Sequence, residues 1–196
     1  GGIWQTGQED DIANSATPDR GPGDAVIVDQ NNDGIIDSED RKIVGYQQAK
    51  WTGGLSTSLT YKGLRLSVFI QTVQGRDREI NNVNNERFGR VNDIPFNFWT
   101  PDNPSNEWVR PGINHGLYYG SMAIFDASFT RVKDITLSYD LPQSLLNSIR
   151  IKKMSVYVNL HDYFTFTKFP FIDPESAAAY QISIPKFVQV GLSLTI

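Results

Sequence analysis

One twelve-residue segment, residues 29–40, has the side-chain spacing of a calcium-binding loop. Carboxylate or amide oxygens stand at positions 1, 3, 5, 9 and 12, glycine stands at position 6, and position 7 offers a backbone carbonyl. Calcium takes about six to eight oxygen ligands at about 2.3–2.6 Å, and the glycine permits the sharp turn that brings them together. The predicted ligands are Asp29, Asn31, Asp33, Ile35, Asp37 and Asp40.

The same segment also suits a turn that binds no ion, because Asn, Asp and Gly favour turns by themselves. Asp40 is also one methylene shorter than the glutamate that usually closes a calcium loop at position 12. We favour a structural calcium site because the whole spacing matches. Residues 23–28, just before the loop, are expected to form a short strand.

The remaining sequence offers no set of catalytic residues. It has no cysteine, no nucleophile elbow, no zinc-protease motif and no phosphate-binding loop. His115 and His161 are far apart and lack a metal partner at regular spacing, so we interpret each as a polar loop or wall residue. We therefore predict that the protein is not an enzyme.

Strict alternation of apolar and polar residues predicts five β-strands, which could position the calcium-type loop. The clearest segment, Trp51 to Tyr61, has apolar or aromatic residues mainly at odd positions and small polar residues at even positions. At about 3.3 Å per residue it spans roughly 33 Å, enough to cross an apolar band about 25 Å tall when tilted. The other four predicted strands are Leu64 to Gln71, Asp134 to Leu141, Met154 to His161 and Val188 to Ile196.

Short and long connections alternate between these strands. Lys62-Gly63 and Pro142 to Lys152 are short, whereas Gly75 to about Ala127 and Lys168 to Pro185 are long. Outer-membrane barrels have short periplasmic turns and long extracellular loops. A soluble β-sandwich alternates too, but such long strands with one strongly polar face favour a barrel wall. Bacterial single-chain barrels start at about eight strands, so five can form only part of one.

The longest connection is rich in aromatic residues, which either stack on a ligand or pack the loop on itself. Both interpretations remain open at this point. The candidate substrate contacts are Trp99, Trp108, Tyr118 and Tyr119.

Composition excludes two classes of protein. The 196 residues carry a net charge of -4, and the densest basic run, Arg150 to Lys153, is too short for a nucleic-acid surface. No stretch of about 18 apolar residues occurs that could form a transmembrane helix.

Several motifs occur in a fixed order along nearly the whole chain. They are Gly2 to Gln5, Gly23-Asp24, Asp40-Arg41, Ile43 to Gly45, Tyr61 to Phe69, Trp99 to Asn106, Arg131 to Pro142, Val156 to Val158, Phe164 to Thr167 and Asp173 to Glu175. Together they resemble the C-terminal end of SusC/RagA-type TonB-dependent transporters.

The resemblance implies an all-β fold, namely an antiparallel transmembrane β-barrel segment of about five C-terminal strands from a 22-stranded barrel with long extracellular loops. It implies a location in the outer membrane of a Gram-negative, Bacteroidetes-type bacterium. The whole transporter would import glycans or peptides with a SusD-like lid lipoprotein. Its plug and the part that contacts the TonB complex would lie outside this chain. Residues 1–50 would form an extracellular loop region, and residues 51–196 would supply barrel strands and loops.

Two other functions remain possible from the residues alone. The first is a secreted, calcium-dependent β-sandwich that binds carbohydrate through the loop aromatics. The second is a fragment of a glycoside hydrolase, although no pair of carboxylates can be nominated for it by spacing.

Overall fold

Five long antiparallel strands form the main sheet of the computed structural model. The structure describes residues 2–79, 97–111, 124–147, 151–171, 173–175 and 184–195. In chain order the elements are α1 Glu9–Ala13, β1 Trp51–Tyr61, β2 Leu64–Gln74, β3 Asp77–Glu79, β4 Ile124–Asp126, β5 Phe129–Asp140, α2 Gln143–Leu146, β6 Lys153–Thr167 and β7 Phe187–Thr195. The main sheet has the order β1-β2-β5-β6-β7, and β3 pairs with β4 in a separate two-stranded sheet. Each of the five predicted strands is therefore confirmed.

The turn between β1 and β2 lies where the sequence predicts it. Tyr61 pairs with Leu64, which leaves Lys62 and Gly63 as a two-residue loop. Both have positive φ, 46° and 85°, the backbone geometry of the hairpin turn whose twist matches that of the flanking strands. The turn fixes the register of the β1–β2 pair along its whole length.

The register gives the sheet two chemically different faces, because side chains directly opposite each other on paired strands share a face. One row on the apolar face consists of Leu59, Leu66, Leu137, Val158 and Val190. The neighbouring row on the polar face consists of Ser58, Ser67, Thr136, Asn159 and Gln189. The apolar face is exposed, to 74% at Val190.

Strands β5 and β6 extend beyond the predicted bounds because a bulge interrupts their alternation. The register shifts between Val132 and Asp134, and the opposite strand accommodates the shift with Asp162 in a left-handed conformation of φ 51°. A bulge changes which face the following residues occupy, so a search for strict alternation loses the strand there.

The chain divides into two compact units, Gly1–Gly45 with Arg78–Ile124, and Tyr46–Asp77 with Phe125–Ile196. The boundary after Gly45 lies close to the predicted one after residue 50. The predicted division into an extracellular loop region, residues 1–50, and barrel strands and loops, residues 51–196, stays a prediction.

The short strand predicted for residues 23–28 is wrong. Only one isolated bridge forms there, between Ala25 and Ile3. Gly23 has a φ of 87°, which is not a strand conformation, and the Asp24 carboxylate accepts two hydrogen bonds from Arg110 at 2.9 and 3.0 Å. The ion pair and the turn at Gly23 replace a strand ladder.

Among the residues that the structure describes, neither α1 nor α2 nor any other helix is long and apolar enough to span a membrane.

Candidate functional site

The polar face of the sheet carries a hydrogen-bonded cluster around Asp134. The Asn159 amide donates to both carboxylate oxygens of Asp134 at 2.9 Å, and the Thr136 hydroxyl donates to one of them at 2.8 Å. Nε2 of His161 lies 3.3 Å from the second oxygen. The four residues therefore form a preorganised set with one carboxylate at its centre.

The imidazole of His161 is fixed from its other side by an aromatic ring. It stacks on Phe187 with ring centroids 4.6 Å apart and an interplanar angle of 25°. His161 and Phe187 are paired across β6 and β7, so the stack follows directly from the strand register. This placement agrees with the prediction that His161 is a polar wall residue.

A second cluster lies on the same face, closer to the long connections, and is centred on Arg131. Its side chain is only 1% exposed and donates to Glu175 at 2.6 Å and to Asp173 at 2.8 Å. Lys133 joins the cluster, with its Nζ 3.0 Å from Glu175 and 3.3 Å from Asp162. A buried arginine needs such partners, because an unpaired charge in this position would be very costly.

The Arg131 cluster attaches a connecting segment to the sheet. Asp173 and Glu175 follow β6 in sequence, and the segment also inserts Phe169 and Phe171, whose ring centroids lie 5.0 Å apart. Phe171 makes an edge contact with Phe125 at 4.9 Å. Ion pairs and aromatic packing thus hold the described part of this connection against the polar face.

The carboxyl group of Asp173 responds to opposing influences. Burial is the largest single influence and raises its pKa, but hydrogen bonds from the Glu175 backbone and the Arg131 side chain, together with the Arg131 charge, outweigh it. The net result is that the pKa of Asp173 lies below its usual value.

The predicted calcium loop is organised by hydrogen bonds from its own backbone. Asp29 accepts from the N–H groups of Asn32 and Gly34 at 2.6 and 2.7 Å, and Asp33 accepts from Ile35 at 2.8 Å. Gly34 has a φ of 83°, so the sharp turn expected at position 6 is present.

A hydrogen bond joins the end of the predicted calcium loop to its beginning. Asp40 accepts from the N–H groups of Asp37 and Gln30 at 2.9 and 2.7 Å, and these bonds lower the pKa of its carboxyl group. Within the described parts of the chain, no three acidic or histidine side chains converge closely enough to hold a metal ion. The calcium site, with ligands Asp29, Asn31, Asp33, Ile35, Asp37 and Asp40, stays a prediction.

The candidate substrate residues Trp99 and Trp108 lie in the core of the first unit. They are 5% and 3% exposed, and the Trp99 indole donates to Gln5 at 2.8 Å. Rings buried to this degree present no open face to a ligand, so their positions favour the alternative that these aromatics pack the loop. Tyr118 and Tyr119 lie outside the described residues.

Sequence reasoning missed the Arg131 cluster as a site. Its acidic partners are 42 and 44 positions away, in a connection without periodicity. The sequence signal was that Arg131 to Pro142 and Asp173 to Glu175 both belong to the motifs that carry the family resemblance.

Comparison with known proteins places the fold. No family model matches the chain. The chain is 28% identical over 177 residues to the TonB-dependent receptor P3 of Formosa agariphila, covering 89% of this chain and 18% of that protein. It is 28% identical over 161 residues to the TonB-dependent receptor SusC of Bacteroides thetaiotaomicron, covering 79% of this chain and 16% of that protein.

A solved structure gives the same result. The RagAB peptide importer in its closed-closed state matches 86% of this chain and 20% of its own chain, with 26% identity and a TM-score of 0.67. The resemblance to SusC/RagA-type TonB-dependent transporters is thereby confirmed, as is the all-β, antiparallel fold of a barrel segment. The chain spans less than a fifth of the length of the curated relatives described above.

Proposed function

We propose that this chain forms part of the wall of an outer-membrane nutrient importer. Its apolar face would contact lipid, and its polar face would line the lumen of the barrel. The parent protein would reside in the outer membrane of a Gram-negative, Bacteroidetes-type bacterium. Its relatives are named as receptors or importers, which supports transport without bond chemistry.

The observation that carries this proposal is the continuous apolar face. Its rows run across all five strands, about 19 Å from the first strand to the last at the usual strand spacing. Soluble proteins rarely leave a continuous apolar surface of this extent in water. Lipid contact removes that cost, while the hydroxyl, amide and charged groups of the opposite face stay hydrated.

The alternative fold, a soluble β-sandwich, needs a second sheet over the apolar face, and the described residues do not provide one of sufficient size. A sandwich covers its apolar face with another sheet. Within the described residues the only other sheet is the β3–β4 pair, whose strands have three residues each. Two strands of that length are too small to cover five strands of nine to fifteen residues.

The transport cycle follows from the family resemblance. The imported ligand, an oligomeric glycan or peptide, would bind between the barrel and a SusD-like lid lipoprotein. It would pass inward when energy delivered through the TonB complex displaces the plug. Both the plug and the region that contacts TonB belong to the remainder of the transporter. This chain would contribute the wall and part of the outward-facing loops.

Calcium would have a structural role in this scheme. The loop of residues 29–40 precedes β1, whose other end is the short turn at Lys62-Gly63. Short turns face the periplasm in outer-membrane barrels, so the loop would lie on the extracellular side. An ion bound there would stabilise the loop by offsetting the repulsion among its carboxylates.

The proposal is tested by locating the parent protein and removing its gene. We expect the protein to fractionate with the outer membrane and to require detergent for extraction. We also expect the deletion strain to lose growth on one oligomeric nutrient while growing normally on the corresponding monomer. A parent protein that stays soluble, or equal growth on both, would contradict the assignment.

A further inference from the structure

One row of the polar face differs from its neighbours because it contains two exposed aromatic rings. Strand pairing places Ser56, Phe69, Asp134, His161 and Phe187 side by side across all five strands. Phe69 is 40% exposed and Phe187 is 47% exposed, on a face otherwise rich in hydroxyl and amide groups. We call Phe69, Asp134, His161 and Phe187 the inner-face patch.

The inner-face patch contains one carboxylate, Asp134, and no lysine or arginine. In the described part of the chain, the only charged or chargeable group paired with Asp134 is His161, at 3.3 Å. Arg131 lies one row away on the same face but donates to Asp173 and Glu175, and Arg65 lies two rows away, beside Ser138.

A buried acceptor lies directly beside this carboxylate. Asn159 uses its amide nitrogen for Asp134 and Thr136, and its Oδ1 is buried without a hydrogen-bond partner. A buried acceptor without a donor costs free energy in the isolated chain. Among the described residues, the patch therefore presents a carboxylate that pairs with no lysine or arginine, between two exposed aromatic rings.

This combination is suited to a basic side chain. Lysine and arginine place a charged end against a carboxylate and their methylene stem along apolar rings. Either cation is also attracted to the face of an aromatic ring within about 6 Å of its centroid. Phe69 and Phe187 are three strand spacings apart, about 14 Å, which leaves room for one such side chain and its backbone.

We propose that the inner-face patch docks a lysine or arginine carried by the part of the same transporter that lies outside this chain. The inference rests on the proposed function, because only then does the polar face enclose a lumen. This chain spans 18% of one relative, so most of such a transporter remains to fill or surround that lumen. A permanent protein partner would keep both rings covered, whereas a transported ligand would cover them only while it passes.

The direct test is photo-crosslinking in the full-length transporter, in outer membranes. The photoreactive residue p-benzoyl-phenylalanine replaces Phe187 in one variant and Val190, on the apolar face, in the control. At position 187 we expect an intramolecular crosslink to a segment outside these 196 residues, with a lysine or arginine within about two positions of the crosslinked residue. At position 190 we expect lipid adducts only.

Two results would overturn the docking proposal and leave the wall assignment intact. In the first, position 187 crosslinks only within this chain, to a lid lipoprotein or to added ligand. In the second, it gives no protein crosslink while position 190 still labels lipid. If position 190 crosslinks to protein and not to lipid, the membrane assignment itself fails.

The charge is tested separately with Asp134→Asn, which keeps the size of the side chain. We expect amide hydrogen exchange in the crosslinked segment to accelerate about five- to tenfold, the scale expected for a partly buried ion pair. The matched control is Asp140→Asn, whose carboxylate is exposed and pairs with Lys153 at 3.2 Å. Equal exchange in both variants would contradict a role for the Asp134 charge.

Discussion

At the scale of single residues, Arg131 makes the most consequential contacts in the second unit. Removing its side chain would take from the buried Asp173 carboxylate the guanidinium at 2.8 Å and from Glu175 one of its two cationic neighbours. Breaking a buried pair from one side costs about 3–5 kcal/mol, whereas an exposed pair is worth less than about 1 kcal/mol.

We therefore expect Arg131→Met to reduce folded, protease-resistant parent protein in the membrane. The control Lys153→Met, which breaks the exposed pair with Asp140, should leave it nearly unchanged. Quantitative immunoblots after protease treatment measure both. Similar losses in the two variants would show that the Arg131 cluster adds no particular stability.

Asp173 makes the attachment of its segment depend on pH in a defined direction. Because the pKa of its carboxyl group is lowered in the folded state, its stabilising contribution is complete above the unfolded value, 3.8. The contribution is lost as pH falls below that value towards the folded pKa. Arg131 is the cation that contacts Asp173, and Lys133, Glu175 and Asp162 are the other charged members of the same cluster.

We expect a spin label on Lys168→Cys in the parent protein to remain immobile from pH 8 to about pH 5 and to become mobile only below about pH 4. Adding Asp173→Asn should make the label mobile at neutral pH. A label that becomes mobile between pH 6 and 7 would contradict the assignment of the change to Asp173.

The calcium loop is also tested at this scale. We expect isothermal titration of the parent protein to detect one calcium site fewer in Asp33→Ala than in the wild type, since position 5 supplies a ligand in such loops. Asp11→Ala, in the acidic first turn of α1, is the matched control. Equal calcium uptake by all three proteins would leave the segment as a turn without an ion.

At the scale of elements, uninterrupted alternation allowed β1 to be predicted with its observed bounds, Trp51–Tyr61. The Lys62-Gly63 turn was predictable as well, because alternating segments flank it on both sides and Gly63 adopts positive φ without steric cost. The outer halves of β5 and β6 were missed, since a bulge at Lys133 changes the phase of the pattern.

The candidate site was less accessible to sequence reasoning than the strands. The Asp134 cluster depends on cross-strand register, and the Arg131 cluster depends on where a long connection folds back. Neither is encoded by local spacing. Trp99 and Trp108 show a second difficulty, because an aromatic residue in a loop has the same sequence signature whether it contacts a ligand or packs a core.

The two faces of β7 provide a matched pair of substitutions. Val190 lies on the apolar face and Ser193 on the polar face, opposite Ser155. Arginine at the centre of the lipid-facing surface of a barrel costs about 2–4 kcal/mol, whereas substitutions facing the lumen are mild. We expect Val190→Arg to reduce the heat-modifiable, assembled parent protein strongly and Ser193→Arg to reduce it little; equal effects would favour a soluble sheet.

At the scale of the whole molecule, the connection between β2 and β5 is the largest feature that the strands do not explain. Connections of this length are usually functional or disordered, and a segment this rich in aromatic residues and proline is poorly suited to disorder. The described part is indeed packed, through Trp99 and Trp108.

We expect deletion of residues 81–114 in the parent gene to impair nutrient-limited growth and co-purification of the lid lipoprotein, at matched outer-membrane levels. Buried Trp99 and Trp108 lie within this deletion, so a shorter deletion of residues 81–96 separates loss of packing from loss of the surface. Wild-type growth and co-purification in both variants would show that the connection contributes to neither ligand binding nor lid binding.

The central claim is that the apolar face contacts lipid and the polar face lines an aqueous lumen. Spin labels placed singly at positions 190 and 193 of the full-length transporter in bilayers measure this directly, through relaxation by oxygen, which concentrates in lipid, and by a water-soluble nickel complex. We predict that the label at position 190 responds mainly to oxygen and the label at position 193 mainly to nickel. Nickel accessibility at both positions, or oxygen accessibility at 193 with nickel accessibility at 190, would contradict the claim.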